Sequence, residues 1–349
     1  MKKLLIYPFT LSSMPILRYS GNLVDYNEVI LVTESSFAAL SSNCDVSHVD
    51  GGLPVFAKMS ANFEDAVVLV DDVLFVDEIY DVDKFRRNFE LAKKVNKQIF
   101  LSGNFDNKTY KDLEGFKALI AEDYTANVTS QNRLLEMPVP VIAVMGMGQQ
   151  CNKFDIQMGL RERFLERGYK VSQVGTKCYS SLFGFHALPK FTKTALWEKI
   201  LLYNLFFRDI VVREKSDVLI VGIPGGVMPI DECNTELFGE TAIAISKSIS
   251  PDMSILSMYL SDSLRFDVKG LTGYFHYTLG ATLDYFHISN TKIIFESDLR
   301  SISYLVTDSN QMFDKTKPME NAYNVFQTEN AKIIYDQLIS ELQENLDIM

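Results

Sequence analysis

The chain is poor in cysteine. Only Cys44, Cys151, Cys178 and Cys233 occur in 349 residues, and no two form a Cys-x-x-Cys pair. Such wide spacing excludes a disulfide-built scaffold and points to reduced thiols in a cytoplasmic setting. No stretch reaches the ~18 apolar residues of a membrane-spanning helix. The apolar start, Met1–Ile6, is cut short by Pro8, and no small-residue cleavage site follows, so it reads as a first strand rather than a secretory signal. Positive charge is scarce too: 34 Lys and Arg stand against 45 Asp and Glu, a net charge of −11. A nucleic-acid binder needs a basic face, so neither a nucleic-acid nor a membrane partner is expected. Low-complexity runs and internal repeats are absent. The 47% hydrophobic and 23% charged residues are those of an ordinary folded protein. At this length two domains are expected.

What is present is an alternation of short apolar runs with amphipathic stretches. Lys3–Tyr7, Glu28–Thr33, Ala66–Val70 and Gln98–Ser102 read as buried strands. Asp83–Val95 reads as a helix, with Phe85, Phe89, Ala92 and Val95 on one face. Alternating strands and helices predict a parallel, doubly wound sheet. Arg18 and Tyr19 follow the first strand. Asp50-Gly51-Gly52 and the acidic pair Asp71-Asp72 are placed near later strand ends, the edge where such sheets hold ligands. The acidic pair reads as a metal or response-regulator pocket, or as a plain solvated strand end. Gly103-Asn104 closes the fourth strand.

Less regular sequence fills Thr109–Leu135. The prolines of Met137-Pro138-Val139-Pro140 cannot continue a helix and reset the chain. A domain boundary near residue 136 follows: a Rossmann- or flavodoxin-like α/β domain over 1–136 and a second α/β domain over 137–349. In the second, Val139–Met145 is a strand, and Ile156, Leu160 and Phe164 line one face of the next helix. Gly168 suits its C-terminal cap. Tyr169–Val174, Asp217–Val221, Met253–Tyr259, Lys292–Phe295 and Ser303–Val306 read as strands. Thr194–Arg213 is a helix apolar on most sides, which suits burial or an interface in a homo-oligomer. Asn234 or Thr235 caps a helix running to about Ile249. Phe266–Phe286 and Met319–Leu346 read as further helices.

The stretch with chemistry is Gly146-Met147-Gly148-Gln149-Gln150-Cys151-Asn152-Lys153-Phe154. Strand, glycine-rich turn, lysine and helix is the layout of a phosphate-cradling loop. Gly146 opens it and Lys153 stands at the right spacing. Asn152 replaces the second glycine, and asparagine tolerates the left-handed geometry needed there. Phe154 replaces the Ser or Thr whose hydroxyl holds Mg²⁺, and has no oxygen to offer. The partner strand, Asp217–Val221, ends in Gly222 where a metal-positioning Asp is usual. Two matched losses argue against ordinary Mg-dependent NTP hydrolysis, unless Asp155, Asp231 or Glu232 takes over. What remains favours an anion: backbone N–H groups, a helix N-terminus and Lys153. The expected binding set is Gly146, Met147, Gly148, Asn152 and Lys153, with Gly225 and Gly226 from the second loop, and a nucleotide as the first candidate ligand.

Cys151, Cys178 and Cys233 each follow a different strand of the second domain. Loops after parallel strands gather at one edge, so the three can converge, with His186 as a fourth ligand for a soft metal or an iron–sulfur cluster. Cys151 and Cys233 also stand where a thiol would be activated for catalysis. Plain packing is the alternative for all three. His276 and His287 read as packing residues.

Leu4-Leu5-Ile6-Tyr7-Pro8-Phe9, then Pro15-Ile16-Leu17-Arg18-Tyr19, together with Gly146-Met147-Gly148, Cys151, Lys153, Phe154 and Gln157, resemble the peptide maturation system proteins. One departure is Ser35-Ser36-Phe37-Ala38-Ala39, where a Gly-Trp-Gly-like turn is expected. The resemblance implies a place beside a radical-SAM maturase and the precursor of a ribosomally made, modified peptide. The second domain is also similar to P-loop NTPases of the dethiobiotin-synthetase and nitrogenase-iron-protein group. Three readings stay open: an accessory maturation factor that binds a nucleotide or another anion, a thiol- or metal-dependent enzyme, and a peptide-binding scaffold without catalysis.

Overall fold

The computed structural model describes residues 1–33, 57–60, 62–76, 81–102, 113–119, 124, 133–191, 193–260, 267–296, 301–307 and 321–347. Cys44, Ser35-Ser36-Phe37-Ala38-Ala39, Asp50-Gly51-Gly52 and Gly103-Asn104 lie outside the described residues. The chain forms two compact units. The first is Met1–Ile120 with Cys178–Ala187, and the second is Ala121–Lys177 with Leu188–Met349.

The first unit is a parallel sheet of β1 (Lys2–Tyr7), β2 (Tyr26–Val32), β3 (Lys58–Ser60), β4 (Asp72–Val76), β5 (Gln98–Ser102) and β6 (Lys117–Leu119). Their order is β3-β2-β1-β4-β5-β6, the doubly wound order of Rossmann-type sheets. Helices α1 (Met14–Arg18), α2 (Phe63–Val67) and α3 (Val82–Lys94) connect the strands. The expected strand at Ala66–Val70 is instead the end of α2 and the turn after it. Asn62 caps α2 by accepting the Asp65 N–H at 2.9 Å, and Glu64 and Asp65 suit the dipole of its first turn. The strand therefore starts later, at Asp72. This puts Asp71 and Asp72 at the amino end of β4, away from the ligand-binding edge. Buried Asp72 accepts from Lys2 Nζ at 2.9 Å and from Tyr26 OH at 2.7 Å, a structural tie and not a metal pocket. Strand β9 (His186–Ala187) ends the segment Cys178–Ala187 and by hydrogen bonding is the edge strand of the second, seven-stranded sheet.

The second unit is built on β7 (Val141–Gly146), β8 (Val171–Gly175), β10 (Val218–Gly222), β11 (Met253–Met258), β12 (Tyr285–Ile288) and β15 (Ala322–Tyr323), parallel in the order β15-β12-β11-β7-β10-β8. A separate antiparallel hairpin joins β13 (Thr291–Glu296) and β14 (Ser301–Val306). Helices α4 (Lys153–Glu166), α5 (Leu196–Glu214), α6 (Glu240–Ile249), α7 (Val268–Tyr274, continued as a π-helix to Leu279) and α8 (Thr328–Asp347) cover the sheet. Every residue of β7 is buried. Two apolar layers pack on the sheet, one under α5 and α6 and the other between α4 and α8.

Two helices expected from the sequence are shorter. The helix read over Phe266–Phe286 ends at Leu279, where Gly280 takes a φ of +69°, and Tyr285–Ile288 becomes a buried strand. The last helix starts at Thr328, because Ala322–Tyr323 pairs with β12. Strand β7 lies at the point where the sheet order reverses, with β10 and β8 on one side and β11, β12 and β15 on the other. Open parallel sheets bind ligands beyond the carboxyl ends of such strands.

Candidate functional site

The loop after β7 is held from both neighbouring strands. The Met147 N–H donates to Ser257 O at 2.9 Å, and the Val227 N–H donates to Gly146 O at 3.0 Å. Tyr259 OH donates to Gln149 O, and Ser257 Oγ donates to Cys151 O. The glycine at 148 answers to this closeness: a β-carbon there would stand 2.5 Å from Tyr259 OH and 3.1 Å from Ile230 Cδ1. Burial pushes the Tyr259 phenol far above its ordinary pKa, so it stays a donor to the loop.

Asn152 takes the left-handed conformation that the sequence predicts, with φ +60° and ψ +20° at the start of α4. Its side chain is also a junction. Asn152 Oδ1 accepts from Ser289 Oγ and from the Asn290 N–H at 3.2 Å, and its Nδ2 donates to Asp155 Oδ2 at 3.0 Å. The loops after β7 and β12 are thereby tied together. Lys153 is buried, and its ammonium donates to Gly148 O at 2.6 Å and to Gly225 O. Of its three donors, one remains. Among the described residues, no hydrogen bond uses the backbone N–H of Gly148, Gln149, Gln150, Cys151 or Asn152. A run of unused N–H groups before a 14-residue helix, beside a lysine, is an anion-accepting arrangement.

The two losses read from the sequence have structural counterparts. Phe154 is buried at 2% exposure and packs where a metal-binding hydroxyl would stand. At Gly222 any side chain is excluded: a β-carbon would lie 2.2 Å from Gln157 Oε1 and 2.6 Å from Thr176 Cγ2. Gln157 itself is fixed, its Nε2 donating to Val174 O at 2.8 Å. An aspartate at 222 has no room.

The substitute carboxylates are engaged otherwise. Asp155 is buried and takes the Asn152 amide. Asp231 folds its own turn, accepting from the Cys233 and Asn234 N–H groups at 2.7 Å each. The Asn234 amide first, and then those backbone bonds, hold its carboxyl below the usual range. Glu232 is exposed.

Cys151 is buried, and its thiol donates to Gly148 O at 3.1 Å; a β-carbon at Gly146 would stand 2.3 Å from its sulfur. Its role is to fill the underside of the loop, and a buried, bonded thiol is not presented as a nucleophile. Cys178 is half-buried and belongs to the first unit, and Cys233 is exposed. Among the described residues, no three His, Cys, Asp or Glu side chains gather closely enough to hold a metal.

Sequence reasoning missed Glu236. Its expected place was the first turn of a helix capped at Asn234 or Thr235. Instead Glu236, Leu237, Phe238 and Gly239 run with φ of +46°, +52°, +54° and +73°, and α6 begins only at Glu240. This left-handed run turns the Glu236 carboxylate inward, where its Oε2 accepts the Gly226 N–H at 2.8 Å. Left-handed helical geometry costs a non-glycine residue roughly 1–2 kcal/mol. No sequence signal announces three such residues together. His287 packs in the core as expected, though on strand β12 and not on a helix. It is fully buried, and its Nδ1 lies 2.8 Å from Ser257 Oγ. Since that hydroxyl gives its proton to Cys151 O, Nδ1 must carry the proton between them.

No family model matches the chain, and no curated protein matches it. A DUF1611 family protein from Anabaena variabilis superposes over 97% of this chain and 100% of that one, with a TM-score of 0.66 at 9% identity. The fold resembles that of this DUF1611 family protein. A nucleotide-binding protein from Archaeoglobus fulgidus, solved in complex with ADP, matches 56% of this chain and 85% of that one at 11% identity, with a TM-score of 0.30. At such identities the likeness to the DUF1611 protein is one of fold alone.

Proposed function

We propose that the loop between β7 and α4 binds a nucleotide or another phosphate-bearing anion, without the usual residues for Mg-dependent NTP hydrolysis. The observation that carries this reading is the run of unused loop N–H groups, Gly148 to Asn152, beside buried Lys153 at the start of α4. Phe154 and the blocked position at Gly222 remove the two customary metal supports.

Calorimetric titration with ADP, ATP and inorganic phosphate, each with and without Mg²⁺, tests it. Binding is expected without a requirement for Mg²⁺. Lys153→Ala removes a charged donor and is expected to weaken binding roughly 10- to 100-fold. Absence of binding by every ligand, or equal binding by wild type and Lys153→Ala, would overturn the reading.

The resemblance carried by Leu4–Phe9, Pro15–Tyr19 and the Gly146–Gln157 stretch supplies a setting for this site. We propose an accessory role in maturing a ribosomally made peptide, with a radical-SAM maturase and its precursor peptide as partners. Affinity capture of the full chain from cells producing both is expected to retain the precursor. Retention of neither would sink that setting and leave the anion site standing.

A further inference from the structure

The mouth of the proposed anion site holds a carboxylate of the protein's own. Glu236 Oε2 accepts the Gly226 N–H at 2.8 Å, on the loop after β10. A β-carbon added at Gly225 would stand 3.3 Å from the same oxygen, and one at Gly148 would stand 3.4 Å from Oε1. The carboxylate therefore lies between the two glycine turns that frame the site. Among the described residues no ion pair joins it to a cation, since Lys153 spends its bonds on the carbonyls of Gly148 and Gly225. A half-buried negative charge is thus held by a backbone N–H beside a surface arranged for anions.

The segment that delivers it is strained. Glu236, Leu237 and Phe238 are all left-handed, and none is glycine. Burial does not compensate: Leu237 and Phe238 are 68% and 70% exposed. The Phe238 N–H donates to Thr235 O at 2.7 Å, a bond local to the turn. Gly239, at φ +73°, ends the run where a β-carbon would stand 2.1 Å from Val227 O. Strained geometry of this kind persists where surrounding contacts over-determine it, and it concentrates at switch and ligand-clamp segments.

We propose that Glu236 is an internal occupant of the anion site, displaced when a phosphate-bearing ligand arrives. The ligand takes the Gly226 N–H and the loop N–H groups, and Glu236–Gly239 leaves the left-handed turn. This proposal rests on the anion-binding reading of the β7–α4 loop. A competing carboxylate reduces the fraction of protein ready to bind, so the apparent affinity is lower than the intrinsic one by that fraction.

Two sets of substitutions in the full chain are expected to move ADP affinity in opposite directions. Glu236→Ala removes the occupant and is expected to tighten binding at least about tenfold, with Glu236→Gln intermediate. Leu237→Gly with Phe238→Gly relaxes the strained turn, favours the occupied state, and is expected to weaken binding about threefold or more. A merely structural role for Glu236 would not give tighter binding on its removal. Hydrogen exchange across residues 235–239 is expected to quicken when ADP binds. If wild type binds ADP but Glu236→Ala binds no tighter, the displacement idea falls and the anion site stands. If neither wild type nor any Glu236 variant binds ADP or phosphate, both readings fall together.

Discussion

At the scale of single residues, the two departures from a phosphate loop mean different things. Asn152 was legible from the sequence, because asparagine is among the few residues at ease with positive φ, and the structure gives φ +60°. Its second task was not legible, since the loop after β12 is distant in sequence. That task decides a mutation. Asn152→Gly restores the usual residue and relieves left-handed strain, yet it leaves Ser289 Oγ and the Asn290 N–H without their buried acceptor. An unsatisfied buried group costs about 1–3 kcal/mol, more than the relief for asparagine, so a net loss of roughly 1–2 kcal/mol is expected in urea unfolding. A variant as stable as wild type would contradict the junction. His287 gives a pH test. Burial holds its pKa down to about 3, against the ordinary 6.5. Between those values the unfolded chain binds a proton that the folded chain refuses. Stability from this site is therefore full above pH 6.5 and is lost as the pH falls toward 3, by up to about 1.4 kcal/mol per unit. His287→Gln is expected to give a shallower decline of the urea midpoint over that range, and an unchanged slope would show that the ring takes a proton while folded.

At the scale of elements, periodicity located the long pieces and failed at short ones. Helices α3, α4 and α5 and strands β1, β5, β7 and β10 stand within two residues of expectation, because each carries a whole apolar face or a fully buried run. Strand β4 was displaced because Ala66–Val70 is as apolar as a strand, while the cap at Asn62 and the acids after it carried the helix signal. Strand β12 was absorbed into a helix, since four buried residues show no period. The contact of α4 with α8 tests how packing outranks local preference. Gly159 lies inside α4, where alanine is favoured by about 1 kcal/mol. A β-carbon there would stand 2.8 Å from Tyr335 Cε2 and 3.0 Å from its hydroxyl oxygen. Tyr335 is buried and packs edge-on to Tyr323 at 5.5 Å, so it has little freedom to withdraw. Overpacking of this kind costs about 1–3 kcal/mol. Gly159→Ala is expected to lower stability by roughly 1 kcal/mol in chemical denaturation, against the helix-propensity trend, and a gain would mean that α8 moves aside easily.

At the scale of the whole molecule, the alternation of strands and helices was enough for two mainly parallel α/β sheets, and the fold likeness to a DUF1611 protein spans nearly the entire chain. The path between the units was not legible. Residues Cys178–Ala187 lie between β8 and α5 in sequence, yet they belong to the first unit. Tyr179 OH donates to Ser12 O at 2.6 Å, and the Val24 N–H donates to Leu182 O at 3.0 Å. Tyr179, Leu182, Phe183 and Phe185 are buried. Ten residues with so local a composition carry no sign of a partner more than 150 positions earlier. Their return has a consequence for dissection. A fragment cut at residue 136 keeps all six strands of the first sheet but loses this segment. It is expected to expose the apolar surface under Ser12 and Val24, bind the dye ANS and unfold at lower urea than the same fragment with 178–187 appended through a flexible linker. Because a linker of any moderate length adds little closure entropy, the appended segment should restore most of the difference. A bare 1–136 fragment as stable as the appended one would show that the returning segment rests on the first unit without supporting it.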